Sequence, residues 1–295
     1  MKPASFDYLR PYSRDEALSM LAEDSDESKV LSGGQSLVPM MNFRLARPSR
    51  LIDINHVPGL DEVAEVDGKL HIGARTRHLR LQNRGGQDPL SRLLRTAAAQ
   101  IGHLPIRTRG TFGGSLAHCD AASEWCLVAR LLDAEVTVEG LAGRRTIPAE
   151  DFFVSLFTTA MEPDELLVDV ALPLLDSTHE TGFAEFARRA GDFAIVAVTT
   201  DIAVTDGVVS DARVCIGGVS EVPFRSAAAE GVLRGADWSS DTSAEVVQEA
   251  AEAAAAEVSP PSDSHGDAEY RRDLVRAMLT RAVAQGAPAV QGAPS

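Results

Sequence analysis

Two glycine doublets constrain this chain more than any other feature. Gly33 and Gly34 end a short apolar run in KVLSGGQSL, residues 29–37, and Gly113 and Gly114 lie within RTRGTFGGSLAHCDAASE, residues 107–124. Glycine has no Cβ, so its backbone reaches positive φ and lets another group approach closely. Consecutive N–H groups in such a turn curl into a concave anion-binding nest. Ser32, Gln35 and Ser36 surround the first pair, and Thr111 and Ser115 flank the second. Bases stand close upstream: Lys29 in one stretch, Arg107 and Arg109 in the other. One doublet alone is common turn punctuation. Two doublets dressed alike, neither followed by the alternating pattern of a hairpin partner, predict one extended phosphorylated ligand gripped twice, a nucleotide or dinucleotide.

The usual dinucleotide and nucleotide motifs are missing. No GxGxxG lies between a strand and a helix, and no GxxxxGK[ST] occurs, which removes the Rossmann and P-loop readings. At 295 residues the chain is long enough for two or three packed subdomains. Its 43 acidic against 28 basic residues give a net charge of −15. Nucleic acid is therefore not expected as a partner, since binding phosphates needs a basic face. An acidic surface is compatible with steering toward basic patches on partner subunits. No run of 18 apolar residues exists, and MKPASFDYLRPYSRDE lacks the apolar core of a signal peptide. The expectation is a cytoplasmic protein without membrane insertion. Cys119, Cys126 and Cys215 have no close pairing and the histidines no HExxH-like spacing, so the chain itself is expected to carry no metal. No nucleophile elbow or paired-carboxylate signature marks a catalytic set.

Taken in order, the first segment to about Asn55 reads as strand, helix, strand, nest, strand. Ser13 with Glu16 is a capping-box signature, and Ala17, Leu18 and Leu21 form the helix's buried stripe. Met40 and Met41 read as core filler, and Leu51, Ile52 and Ile54 as a buried strand. A second lobe starts near Val57, with Asp67-Gly68 as a two-residue hairpin turn. Asp88 as N-cap and Pro89 in the first turn open a helix toward the second doublet. LAHCDAASEWCLVARLLDAEVTV reads as helix, then strand. From Thr181 the pattern turns to antiparallel hairpins, with Asp206-Gly207 as a turn. EVVQEAAEAAAAEV predicts a helix lying on that sheet, HGDAEYRRDLVRAMLTRAVAQ a final helix, and GAPAVQGAPS a disordered end.

KVLSGGQSLVPMMNFRLARPSRLIDIN (29–55) followed by IRTRGTFGGSLAHCDAASE (106–124) resembles the FAD-binding medium subunits of the molybdenum hydroxylases. That family includes the flavoprotein subunits of aerobic carbon monoxide, nicotine and caffeine dehydrogenases and the flavin domain of xanthine dehydrogenase. The resemblance covers nearly the whole chain. It continues in EDFFVSLFTT (150–159), DELLVDVALP (164–173), GDFAIVAV (191–198) and HGDAEYRRDLVRAMLTRA (265–282). It implies an α+β fold: a two-lobed FAD-binding part, with a small αβ lobe (1–56) and a mixed sheet with helices (57–177), then a C-terminal antiparallel sheet packed with helices (178–285) and a disordered tail (286–295).

The same resemblance implies non-covalent FAD, touched by Lys29, Val30, Leu31, Ser32, Gly33, Gly34, Gln35, Ser36 and Leu37 at the first doublet. At the second it implies Thr111, Gly113, Gly114 and Ser115, and elsewhere Ile101, Glu124, Leu167, Asp192 and Phe193. Glu124 would accept hydroxyl hydrogen bonds from the nucleotide, and Phe193 would cover the flavin ring. No residue of this chain is expected to be catalytic. Molybdopterin and 2Fe-2S clusters would sit only in a large and a small partner subunit, in a dimer of heterotrimers, with this chain relaying electrons to an external acceptor. The competing readings are a self-sufficient two-lobed FAD oxidase or reductase and a non-redox nucleotide-binding protein. Departures from the common family pattern are Thr108, Phe112 and Cys119, in PIRTRGTFGG and AHCDA where members often read QIRNRGTIGG and AHADP. They imply altered packing near the flavin. His118 and Cys119 are the only residues near enough for covalent flavin attachment, in no recognised linkage context.

Overall fold

A computed structural model describes residues 2–239 and 243–286. The chain opens with β1 (Asp7–Leu9), α1 (Arg14–Glu23), β2 (Ser28–Leu31), α2 (Leu37–Asn42) and β3 (Arg50–Asp53). Next come β4 (Val63–Val66), β5 (Lys69–Gly73), α3 (His78–Gln82), α4 (Pro89–Gln100), α5 (Leu104–Arg109), α6 (Phe112–His118) and α7 (Glu124–Leu131). They are followed by β6 (Glu135–Gly140), β7 (Gly143–Pro148), α8 (Ala149–Phe152), β8 (Phe153–Ser155), β9 (Thr158–Thr159) and β10 (Leu166–Pro173). The last elements are β11 (His179–Phe186), β12 (Val196–Thr205), β13 (Val208–Gly217), β14 (Phe224–Arg225), α9 (Ala227–Leu233), α10 (Ser243–Glu257) and α11 (Ala268–Gly286). Gly286 thus closes a helix, and the rest of the expected disordered tail, 287–295, lies outside the described residues.

The elements gather into two compact units. One holds the chain through Leu81, His103–Asp120 and Asp133–Pro173; the other holds Gln82–Gly102, Ala121–Leu132 and the chain from Leu174 onward. Two stretches of the 57–177 segment, with α4 and α7, therefore group with the C-terminal sheet.

In the first unit, β1, β3 and β2 pair in parallel, in that order. Ser13 accepts from Glu16 N at 3.1 Å to start α1, while the Glu16 carboxylate accepts from Tyr12 N, one residue before the box position. Ala17, Leu18 and Leu21 of α1 pack on Ile52, Ile54, Val57 and Leu60. No sequence pattern announces α2. It is too short for a 3.6-residue period to register, and it starts straight from the doublet through Val38 N to Gly34 O, 3.1 Å. Pro39 sits in its first turn, where the missing N–H costs nothing. The second sheet of this unit, β4-β5-β10-β6-β7, is antiparallel throughout. Parallel and antiparallel pairing, expected together in one mixed sheet, are instead divided between two sheets. Asp67 (φ 49°) and Gly68 (φ 77°) make the β4–β5 turn as their residue types require.

The second unit is built on the antiparallel sheet β11-β12-β13-β14. Val196, Val198 and Ile202 alternate inward and share a core with Val275, Met278 and Leu279 of α11. α11 lies so close to β11 that a Cβ on Gly182 would collide with the Ala282 carbonyl. Asp88 caps α4 by accepting from Ser91 N at 2.8 Å, and Thr181 Oγ1 ties the start of that helix to β11 by donating to Pro89 O at 3.0 Å. α10 packs against α9 and α11 rather than on the sheet. Its alanines, Ala250, Ala251, Ala254 and Ala255, are small enough to let helices meet closely, a property the periodicity alone does not show. Arg271 is 5% exposed and joins two loops by donating to Ile195 O (2.7 Å) and Gly218 O (2.8 Å).

Replacing Gly182 with alanine should lower stability by about 1–3 kcal/mol through overpacking. Gly231, in α9 with open space around it, should gain roughly 0.5–1 kcal/mol on the same change; denaturant unfolding of the two variants tests the contrast. His179 pairs with the buried Asp201 at 2.7 Å, and that hydrogen bond raises its pKa above 6.5. A raised histidine pKa stabilises the fold fully below the unfolded value and loses that contribution as pH rises through the folded one. His179→Gln should therefore flatten the fall in unfolding midpoint across that window.

Candidate functional site

The first doublet forms an open turn between β2 and α2, with Gly34 at φ +72°. Among the described residues, the backbone N–H groups of Gly33, Gly34, Gln35 and Ser36 have no acceptor. Four consecutive N–H donors with nothing to satisfy them are an anion nest. A polar frame around the buried Asp53 holds the turn. Asn55 donates through Nδ2 to Ser32 O (2.9 Å), and its own N–H goes to Asp53 Oδ1 (2.9 Å). Tyr8 donates its phenol to the other Asp53 oxygen, and the Arg77 guanidinium donates to Asn55 Oδ1 and to Arg109 O. Burial works to raise the Asp53 pKa, but the bonds from Tyr8 and Asn55 outweigh it and hold the carboxyl below its usual range.

The second doublet is not a nest. It is the first turn of α6, capped by Thr111, whose hydroxyl accepts from Gly114 N at 3.2 Å. The other N–H groups are also taken: Phe112 by Thr76 O, Gly113 by Ala74 O and Ser115 by Thr111 O. These glycines serve close packing instead. A Cβ on Gly113 would stand 2.5 Å from the Ala74 Cβ, and one on Gly114 2.6 Å from Thr111 Oγ1. The two doublets nevertheless meet. Ser32 Oγ and Thr111 Oγ1 are 3.0 Å apart, and a Cβ on Gly33 would lie 2.6 Å from Arg109 O.

Above this junction opens a cavity of about 520 Å³ within the first unit. Of the residues predicted for the site, Lys29, Val30, Ser32, Gly33, Gly34, Gln35, Ser36, Leu37, Thr111, Gly113, Gly114, Ser115 and Leu167 line it. Leu31 lines a neighbouring cleft of about 310 Å³ with Asp53, Asn55 and Arg109. Ile101, Glu124, Asp192 and Phe193 belong to the second unit. There Ile101 is buried just after α4, Glu124 opens α7, Asp192 N donates to Arg189 O, and Phe193 is 76% exposed.

Several lining residues carry no sequence signal. Leu21 and Ile54 read only as core, and His78 stands alone in the sequence. His78 is buried against Gly110, and burial, followed by the charges of Arg77 and Arg107, pushes its pKa to about 3, so it is neutral. His118 stacks on Phe157 (4.9 Å between centroids, 27° between planes), and burial lowers its pKa as well. Cys119 turns its thiol toward Ser155 O (3.4 Å) and Thr158 O (3.3 Å), and burial pushes it up to about 11. The protonated thiol is a poor nucleophile. None of these three residues is a charged acid or base; the carboxylates that line the cavity are Glu162 and Glu165, and Glu165 is paired with Arg145 at 2.6 Å.

A family model described as the FAD binding domain in molybdopterin dehydrogenase matches residues 4–175, and one described as the CO dehydrogenase flavoprotein C-terminal domain matches residues 181–285. This chain belongs to that flavoprotein family. It is 42% identical over 286 residues to the 6-hydroxypseudooxynicotine dehydrogenase complex subunit alpha of Paenarthrobacter nicotinovorans, covering 97% of this chain and 95% of the relative. It is 40% identical to the nicotine 6-hydroxylase medium subunit of the same organism, over 97% and 98% of the two chains. Among solved structures, carbon monoxide dehydrogenase from Hydrogenophaga pseudoflava aligns with a TM-score of 0.91 and 34% identity, over 97% of this chain and 98% of that one. The flavoprotein fold is α+β, as expected, and among the described residues no helix is long and apolar enough to cross a membrane.

The cavity fits the FAD that defines the family. Its unsatisfied N–H donors and the hydroxyls of Ser32, Ser36, Thr111 and Ser115 suit a pyrophosphate, and its apolar walls suit flat rings. Gly33→Val should drive the junction with Arg109 apart and lower FAD affinity at least tenfold, with secondary structure by circular dichroism retained. Unchanged flavin titration would remove the first doublet from the site.

Proposed function

We propose that this chain is the FAD-carrying electron-transfer subunit of a heterotrimeric molybdenum hydroxylase. It would take electrons from iron–sulfur clusters of a small partner subunit and deliver them to an external acceptor. The observation that carries the reading is the row of N–H groups from Gly33 to Ser36, left without acceptors among the described residues along a cavity of about 520 Å³. When bound there, FAD supplies exchange between one-electron and two-electron partners.

The residues of the chain act on that cofactor by holding it. Gly33 to Ser36 would bind the pyrophosphate, with Lys29 contributing positive charge. Thr111 and Ser115 would add hydroxyl contacts at the start of α6, while Leu167 and Val30 exclude water from the ring systems. His78 and His118 stay neutral beside the cavity, so they would orient the ligand without changing its charge. We also propose Ile101, Glu124, Asp192 and Phe193 as residues that touch the cofactor. We also retain the division into two FAD-binding lobes, 1–56 and 57–177, and a C-terminal domain, 178–285. Relatives named as a dehydrogenase complex subunit and a hydroxylase medium subunit support partner chains; we propose that these are a large molybdopterin subunit and a small iron–sulfur subunit, in a dimer of heterotrimers in the cytoplasm.

Purification from the native host without dissociating treatment tests this. Flavin and iron–sulfur absorbance in one complex, with two companion chains and loss of the flavin bands when substrate reduces it, is the expected result. A chain that purifies alone and takes up no added FAD would overturn it.

A further inference from the structure

Two spaces border the first doublet. Ser32, Gly33, Gly34 and Gln35 line both the cavity of about 520 Å³ and the cleft of about 310 Å³. Among the described residues that line the cleft, the charged ones are Asp53 and Arg109. Asp53 is satisfied: one oxygen accepts from Asn55 N at 2.9 Å and the other from the Tyr8 phenol. Arg109 is the opposite case. Among the described residues its exposed guanidinium makes neither a hydrogen bond nor an ion pair.

The backbone of Arg109, in contrast, is pinned beside the nest. Arg77 donates to Arg109 O, and a Cβ on Gly33 would lie 2.6 Å from that same oxygen and 2.7 Å from Gly110 Cα. A residue fixed against the row of N–H donors thus carries a positive group with nothing to bind. Arg77 adds to the imbalance. It is half-buried, donates to two neutral oxygens, Asn55 Oδ1 and Arg109 O, and forms no ion pair among the described residues. Burial, followed by the charges of Arg109 and Arg75, lowers its pKa. Guanidiniums gathered this closely repel one another, and an anion beside them relieves that repulsion.

We propose that Arg109 is a further binding residue for the cofactor, its guanidinium donating to the pyrophosphate that the N–H groups of Gly33 to Ser36 hold. The inference rests on the flavoprotein reading above and adds a charge partner that this reading leaves to Lys29 alone. The residue type suits the task. A guanidinium presents a planar fork of two parallel donors to phosphate oxygens, whereas an ammonium offers a point charge. The same assignment accounts for a carboxylate in an anion cleft, since Arg109 offsets the charge of Asp53.

The test titrates FAD into the full-length chain depleted of flavin, at low and at high salt, and follows flavin fluorescence. Arg109→Gln should weaken binding about tenfold at low salt, because hydrogen bonds to charged groups are the stronger ones. That deficit should shrink at high salt, where exposed charges are screened. Arg109→Lys should recover part of the loss, since it keeps the charge without the fork. Arg92→Gln changes an exposed arginine of α4 that lines neither space, and should bind FAD as wild type does. Unfolding midpoints of the flavin-free chains should agree. Wild-type affinity in Arg109→Gln at low salt overturns the assignment. So does an equal loss in Arg92→Gln, which would give the effect to the overall charge of the chain. A loss indifferent to salt and joined to a lower unfolding midpoint also overturns it, by making Arg109 a support of the turn. Failure of the flavoprotein reading itself is separately visible, as a wild-type chain that takes up no FAD.

Discussion

The contact between Ser32–Gly33 and Arg109–Thr111 is the constraint on which the first unit depends. It brings together segments 79 positions apart, and it does so through atoms with no room to spare: one glycine against a carbonyl and a hydroxyl against a hydroxyl. That close approach holds the turn after β2, whose N–H groups from Gly33 to Ser36 have no acceptor among the described residues. The polar frame of Tyr8, Asp53, Asn55 and Arg77 fixes the same turn from behind, so the unsatisfied donors are pre-organised. Donors that need not reorganise bind an anion at less entropic cost than mobile ones.

The two doublets illustrate opposite uses of glycine. At Gly33–Gly34 the missing side chains allow a positive φ and a close backbone approach, and the result is a set of free donors. At Gly113–Gly114 the backbone is helical and every donor from Phe112 to Ser115 is used, so the glycines serve to let α6 lie against the 74–76 segment. The flanking hydroxyls look alike in sequence in both places. Only the hydrogen-bond partners distinguish them, and those partners, Ala74 and Thr76, come from a distant part of the chain.

Most of the architecture was legible because it follows local rules. The Asp67-Gly68 and Asp206-Gly207 turns, the Ser13 and Asp88 caps and the alternating strands from Thr181 are each specified by neighbouring residues. The first doublet and its satellites were legible too, through the residue types an anion site requires. What escaped was non-local. Nothing in the sequence around α4 announces that this helix joins the C-terminal sheet, since Thr181 and Pro89 meet across 92 positions. His78 and Phe157 enter the cavity through tertiary packing and, at Phe157, a left-handed φ of 58° that no residue type predicts. The helix-on-helix packing of α10 escaped for the same reason, whereas α2 escaped because its six residues are too few for a helical period to register.

The contact between Gly182 and Ala282 carries a consequence for the order of events during synthesis. Strand β11 is complete long before the helix that covers it, and Arg271 joins the loops at Ile195 and Gly218 only once α11 exists. Contacts of such wide sequence separation form slowly, and domains fold as units while the chain is being made. The second unit therefore has to wait until α11 has been made and has emerged, with its apolar sheet face uncovered meanwhile. That interval is when a chaperone has most to protect.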